Sequence, residues 1–122
     1  MPRIALIAHD EKKAALAEWV RANADALRGR ALVCTATTGG RLRELGLDLD
    51  IVTVKSGPLG GDQQIGAMIA TGEVTGMVFF TDPLSPHPHD VDVKALARLT
   101  QVHDIPAAFN RSTADLMLAG GF

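Results

Sequence analysis

Apolar residues run along this chain in short unbroken blocks separated by longer amphipathic stretches. Ile4 to Ala8 is a continuous apolar block of strand length, the pattern of a strand covered on both faces, as in a parallel sheet. A parallel neighbour needs a crossover, and Glu11 to about Arg28 supplies one. Leu16, Val20 and Leu27, with Ala17 and Ala24, fall at helical spacing, and charged residues fill the other side. Asp10 is placed to cap this helix and Gly29 to end it. Ala31 to Thr35 predicts a second strand. The polar turn Ala36-Thr37-Thr38-Gly39-Gly40 follows it, feeding a short helix from Arg41 to Leu45, and Asp50 to Lys55 alternates as a third strand.

The alternation stops at Lys55-Ser56-Gly57-Pro58-Leu59-Gly60-Gly61-Asp62-Gln63-Gln64, which reads as a strand-to-helix crossing. Its glycines and proline permit a tight backbone path with amides free to face an anion. Asp62 opens and caps the next helix, which runs to about Thr71 with Ile65, Met68 and Ile69 inward and Gly72 at its end. Met77 to Phe80 is a fourth strand, followed by a proline-rich stretch from Thr81 to Asp90 that cannot be regular. Asp92 to His103 predicts a helix with Val93, Leu96, Ala97 and Thr100 on one face. Ile105 to Phe109 is a fifth strand, and Ser112 or Thr113 caps a last helix through Leu118.

Strands alternating with helices specify an α/β fold: three layers, α/β/α, with an open five-stranded parallel sheet and helices on both faces. In such sheets ligands bind beyond the carboxyl ends of the strands. Reading only those ends gives His9 and Asp10, then Thr35 to Gly39, then Ser56 to Asp62, then Thr81 and Asp82 with the histidines downstream, and Asn110 to Ser112. The polar groups with chemical capacity gather on one edge.

Composition narrows the function. A chain of 122 residues with 47% hydrophobic and 21% charged residues is expected to form one domain, 1–122, of an ordinary globular kind. A net charge of −2 leaves no basic footprint for nucleic acid. The first apolar block is too short for a signal peptide and no membrane segment is expected, so the expected location is cytoplasmic. Cys34, the single cysteine, reads as a small buried hydrophobe. Trp19 reads as packing or a subunit contact.

Thr35, Thr37, Thr38, Ser56 and Gly57 offer hydroxyls and amides from two adjacent loops, with Lys13 one turn into the first helix. That set suits a phosphate, although the same threonines would serve merely to cap a short helix. Neither a Walker pattern nor Gly-x-Gly-x-x-Gly is present, which disfavours a dinucleotide. His87, His89, Asp90 and Asp92 raise a metal site, but two histidines flanking a proline are poorly spaced as ligands. His89 also suits a neutral electrophile or proton shuttle opposite Asp62, with Asp82 and Asp92 orienting it.

Taken together, these motifs resemble the methylglyoxal synthase family: Ile-Ala-Leu-Ile-Ala-His9-Asp10 with Lys13, Thr35-Ala36-Thr37-Thr38-Gly39, Ser56 to Gln64, Phe79 to Leu84, Pro88 to Leu96, and Asn110 with Thr113-Ala114-Asp115. The resemblance implies conversion of dihydroxyacetone phosphate to methylglyoxal and inorganic phosphate in the cytoplasm, with no metal or organic cofactor, by a homo-oligomer, usually a hexamer. It implies that Asp62 is the base and that His89, Asp92 and Asp82 complete the catalytic set. It further implies that His9, Asp10, Lys13, Thr35, Ala36, Thr37, Thr38, Ser56, Gly57, Gly61 and His89 bind substrate and phosphate. Ala36 stands where glycine is common, which would stiffen the loop if that position needs positive φ. Ending at Phe122, the sequence is expected to lack the C-terminal extension that some members carry, and with it any intersubunit role of such a tail. A non-catalytic effector-binding module of the same domain type and a metal-dependent hydrolase at His87 and His89 are the rival expectations.

Overall fold

All four strand pairings are parallel, and the sheet has the order β3-β2-β1-β4-β5. The computed structural model describes residues 2–84 and 90–122. Its strands are β1 (Arg3–Ala8), β2 (Ala31–Thr35), β3 (Asp50–Val54), β4 (Val74–Phe80) and β5 (Ala107–Ala108), and its helices are α1 (Lys13–Ala22), α2 (Ala24–Leu27), α3 (Ala36–Arg43), α4 (Gly61–Ala70), α5 (Asp90–Val102) and α6 (Arg111–Ala119). The expected three-layer α/β architecture is thus present.

Side chains of successive strand residues point to opposite faces, and the apolar strands therefore serve two cores. Ile4, Leu6, Leu32, Cys34, Val78 and Phe80 pack with Leu16, Trp19 and Leu27 of α1 and α2, Leu42 of α3 and Ala114 of α6. Ala5, Ile7, Val33, Met77 and Phe79 pack on the other face with Ile65 and Ile69 of α4 and Leu96 of α5. Trp19 is fully buried, and its indole N–H donates to Asp115 Oδ1 at 2.8 Å, so its role within the chain is to pin α1 to α6.

Several boundaries differ from the sequence expectation, each for a local reason. The first helix is broken at Asn23, whose side-chain amide donates to the Trp19 carbonyl at 2.9 Å and competes with the helical ladder. Asp10 does not cap it: a short 3-10 turn, Asp10–Lys12, precedes α1 and takes His9 as its N-cap. The turn Ala36 to Gly40 is itself the start of α3. Gly39 is needed there because a Cβ would stand 2.3 Å from Thr53 Cγ2 of β3, and this packing overrides the poor helix propensity of the segment. Ala36 lies within that helix and has no positive φ, so the expected stiffening does not arise. β4 starts earlier than Met77, with a register shift opposite Arg3 and Ile4. β5 is shorter than expected: Pro106 has no N–H for the ladder, although its carbonyl accepts from Met77 N at 3.0 Å. Asn110, not Ser112 or Thr113, caps α6, its side chain accepting from Thr113 N. Among the described residues no helix is long and apolar enough to cross a membrane.

Candidate functional site

β1 connects to β2 on one side, while its other neighbour is β4, so the loops after β1 and β4 leave in different directions and open a crevice at the carboxyl edge. His9 bridges that divergence. Its backbone N–H donates to the Phe80 carbonyl at 3.1 Å, and Asp82 N–H donates to its Nδ1 at 3.1 Å. A nitrogen that accepts carries no proton, so the neutral ring holds its hydrogen on Nε2 and is a donor there. The ring also meets the edge of Phe79, with centroids 5.2 Å apart.

Three successive strand ends repeat one backbone device. His9 after β1 (φ −62°, ψ 156°), Thr35 after β2 (φ −67°, ψ 157°) and Ser56 after β3 (φ −62°, ψ 157°) are each the N-cap of a helical turn, and none of the three side chains makes a capping bond. Capping is therefore not what occupies these groups. All three line a cavity of about 400 Å³, together with Asp10, Lys13, Thr37, Gly57 and Asp62. Lys13 lies mostly buried at its wall, paired with the exposed carboxylate of Asp10. The first turn of a helix leaves N–H groups that its own carbonyls cannot reach, and α3 presents that turn beside the threonines, as an anion site requires.

Asp62 is not the N-cap of α4; Gly60 is, at φ +101°, and Asp62 is the second helical residue. Only 8% exposed, its carboxylate faces the cavity. Two glycines allow this. A Cβ on Gly61 would stand 1.8 Å from the Lys55 carbonyl oxygen, so α4 can begin against the end of β3 only with glycine there. A Cβ on Gly57 would stand 3.3 Å from Asp62 Oδ2, so the carboxylate rests against bare backbone.

Some expected site residues lie away from this cavity. Thr38 is buried behind Thr35, with the hydroxyl oxygens 3.4 Å apart. Ala36 and Gly61 contribute backbone and not cavity wall. Asp82 acts here through its N–H on His9, while its carboxylate accepts from Leu84 N at 3.3 Å. Asp92 accepts from Gln63 Nε2 at 2.9 Å and lines a groove between α4 and α5. His87 and His89 lie outside the described residues, and the expectations resting on them lie there too. Sequence reading missed Ile7, Ala8 and Phe79 as cavity wall; the inward side of a buried strand carries no signal that separates wall from core.

Comparison with known proteins agrees over most of the chain. The MGS-like domain family model matches residues 15–109. The chain is 58% identical over 115 residues to the methylglyoxal synthase of Rhizobium rhizogenes (strain K84 / ATCC BAA-868), covering 94% of this chain and 91% of that protein. With the methylglyoxal synthase of Oleidesulfovibrio alaskensis (strain ATCC BAA-1058 / DSM 17464 / G20) the identity is 53% over 119 residues, covering 98% and 81%. The crystal structure of methylglyoxal synthase from Elizabethkingia anophelis NUHP1 superposes with a TM-score of 0.91 at 45% identity, covering 99% of this chain and 79% of that one.

Proposed function

This chain belongs to the methylglyoxal synthase family, and from that premise we propose that it is a lyase that converts dihydroxyacetone phosphate to methylglyoxal and inorganic phosphate. The observation that carries the reading is the convergence of one shielded carboxylate, Asp62, with Lys13, Thr35, Thr37 and Ser56 on a single cavity at the strand ends. A phosphate dianion meets hydroxyls, a lysine and helix-terminal amides on one wall, and the carbon to be deprotonated faces a carboxylate on the other.

In this reading Asp62 removes a proton from the hydroxyl-bearing carbon of the substrate. The C–H electron pair forms the carbon–carbon double bond of an enediolate, and the negative charge goes to the former ketone oxygen. A carboxylate whose ordinary pKa is about 4 can do this only if that oxygen is stabilised as charge develops. His89, by the family resemblance, polarises it, and a carboxylate paired with a neutral imidazole is an established route to such an intermediate. The enediolate then collapses: the hydroxyl on the deprotonated carbon loses its proton and becomes the aldehyde carbonyl, and the carbon–carbon π pair moves to the phosphate-bearing carbon. The C–O bond breaks with its electron pair leaving on phosphate, and the resulting enolate takes a proton at its terminal carbon to give methylglyoxal. The C–O bond must stand across the enediolate plane for the π electrons to reach it. The cradle of Lys13, Thr35, Thr37, Ser56 and Gly57 therefore sets a torsion as well as holding charge. His9, fixed by Asp82 as an Nε2 donor, contributes a further hydrogen bond to the substrate.

The reading includes one domain spanning 1–122, a cytoplasmic setting, no metal or organic cofactor, and a homo-oligomer, a hexamer by family resemblance. Incubating the pure protein with dihydroxyacetone phosphate, while methylglyoxal and phosphate are measured together, tests it. Equimolar release is expected. Phosphate without methylglyoxal would mean a phosphatase, and binding without turnover would mean an effector module.

A further inference from the structure

The two glutamines that follow Asp62 use opposite ends of their amides. Gln63 donates from Nε2 to Asp92 Oδ1 at 2.9 Å, reaching from α4 across to α5. Gln64 accepts at Oε1 from the backbone N–H of Lys55 at 2.8 Å, reaching back to the end of β3. Neither orientation is arbitrary. A carboxylate only accepts and a backbone N–H only donates, so the chemistry of each partner dictates which end of the amide faces it.

We propose that Gln63 and Gln64 are positioning residues that hold the first turn of α4, and with it the Asp62 carboxylate, between the segment that carries Ser56 and Gly57 and the helix that carries Asp92. The inference rests on the reading of Asp62 as the base. The geometry gives it force. α4 begins on Gly60 and Gly61, two residues without side-chain packing of their own, and is pressed against the Lys55 carbonyl. Farther along, Gly66 lets α4 approach α5, since a Cβ there would meet Leu99 Cδ1 at 3.0 Å. The body of the helix is therefore fixed by packing on α5 and the sheet, and Ile65 and Ile69 are fully or almost fully buried. Its first turn is exposed on the side of Gln63 and Gln64, where the two amides tie it to β3 and to α5 on either side of Asp62.

The opposite polarity of the two ties makes an unusual prediction for one and the same substitution at adjacent positions. Glu is nearly isosteric with Gln and keeps an acceptor while losing the donor. At position 64 it preserves the bond to Lys55 N; at position 63 it sets a carboxylate against Asp92. Met removes both kinds of bond at similar length.

Gln63→Glu, Gln63→Met, Gln64→Glu and Gln64→Met are compared for kcat and KM of methylglyoxal formation, with phosphate affinity by calorimetry and Asp62→Asn as the reference. Gln64→Glu should keep kcat within about threefold of the parent, its added charge showing in KM, because a charged acceptor still serves a backbone N–H. Gln64→Met and both Gln63 variants should lose about tenfold or more in kcat while still binding phosphate, since small displacements of a base are costly. Equal losses in Gln63→Glu and Gln64→Glu, or the parent kcat in Gln63→Met, would overturn the proposal. So would a kcat loss no larger than the loss of phosphate-binding protein. An active Asp62→Asn sinks the base itself, whereas an inactive Asp62→Asn beside a fully active Gln63→Met sinks only the positioning role.

Discussion

Asp62 rests its carboxylate on Gly57, so closely that a methyl group there would stand 3.3 Å from Oδ2 and 3.7 Å from Oδ1. The Asp62 carboxylate thus occupies the space that a side chain at position 57 would need, and its approach to the loop of Ser56 and Gly57 depends on the absence of that side chain. Gly57→Ala must push the carboxylate by a few tenths of an ångström. We expect kcat to fall by about tenfold or more with little loss of Tm. Gly61→Ala should behave differently: its Cβ would overlap the Lys55 carbonyl at 1.8 Å, which backbone cannot yield, so the folded protein itself should be lost. Thermal unfolding of both variants beside their activity distinguishes the two.

Asp62→Asn should abolish turnover and leave phosphate binding and the fold nearly intact. Asn is isosteric and can sit in the first turn of α4, but it cannot accept the proton. General-base catalysis alone is worth about 10²–10⁴-fold, and exchange of the substrate's carbon-bound proton with solvent should disappear in step with phosphate release. Near-normal methylglyoxal formation in this variant would move the search for the base to Asp10, Asp82 or Asp92.

Thr37→Ala and Ser56→Ala should each weaken both substrate and inorganic phosphate, because each removes a donor to a dianion. Charge-assisted bonds of this kind are worth about 1.5–3 kcal/mol, or roughly tenfold to a hundredfold in affinity. Calorimetry with phosphate reads it directly, and unchanged affinity in both variants would take these hydroxyls out of the cradle.

Chelation should leave the rate of phosphate elimination unchanged, since His87 and His89 flank a proline and are badly spaced as a ligand pair. Activity that vanished with chelator and returned with a divalent ion would replace the mechanism given above.

Burial pushes the Cys34 thiol up from 9.0 to about 12, against a smaller opposing effect of Arg43. A raised thiol pKa means that the native state keeps a proton the unfolded chain releases. Its contribution to stability is complete below the unfolded value near 9 and is lost progressively as pH rises towards 12. Tm should therefore fall more steeply above pH 9 in the parent than in Cys34→Ala. An identical alkaline slope in the two proteins would show that Cys34 is not shielded in solution.

The legibility of the chain divides along a physical line. Apolar blocks such as Ile4 to Ala8 and Ala31 to Thr35 state their own strands, because a strand buried on both faces leaves no polar position to confuse the reading. Parallel strands demand crossovers, so the α/β class and the polar edge carrying His9, Thr35, Ser56 and Asp62 followed from order alone. The family motifs added roles to those residues. What the sequence could not state was anything set by contact between distant segments. Ala36 to Gly40 reads as a turn until Gly39 is seen packed on Thr53. Asp62 reads as a cap until the path of Lys55 makes Gly60 the cap and turns the carboxylate inward onto Gly57. The partners of Gln63 and Gln64 are set only when α5 and β3 arrive on either side of them. Helix propensity and capping are local and small, about 1 kcal/mol per residue or cap. The close approaches of backbone that displace them exist only once the sheet has closed.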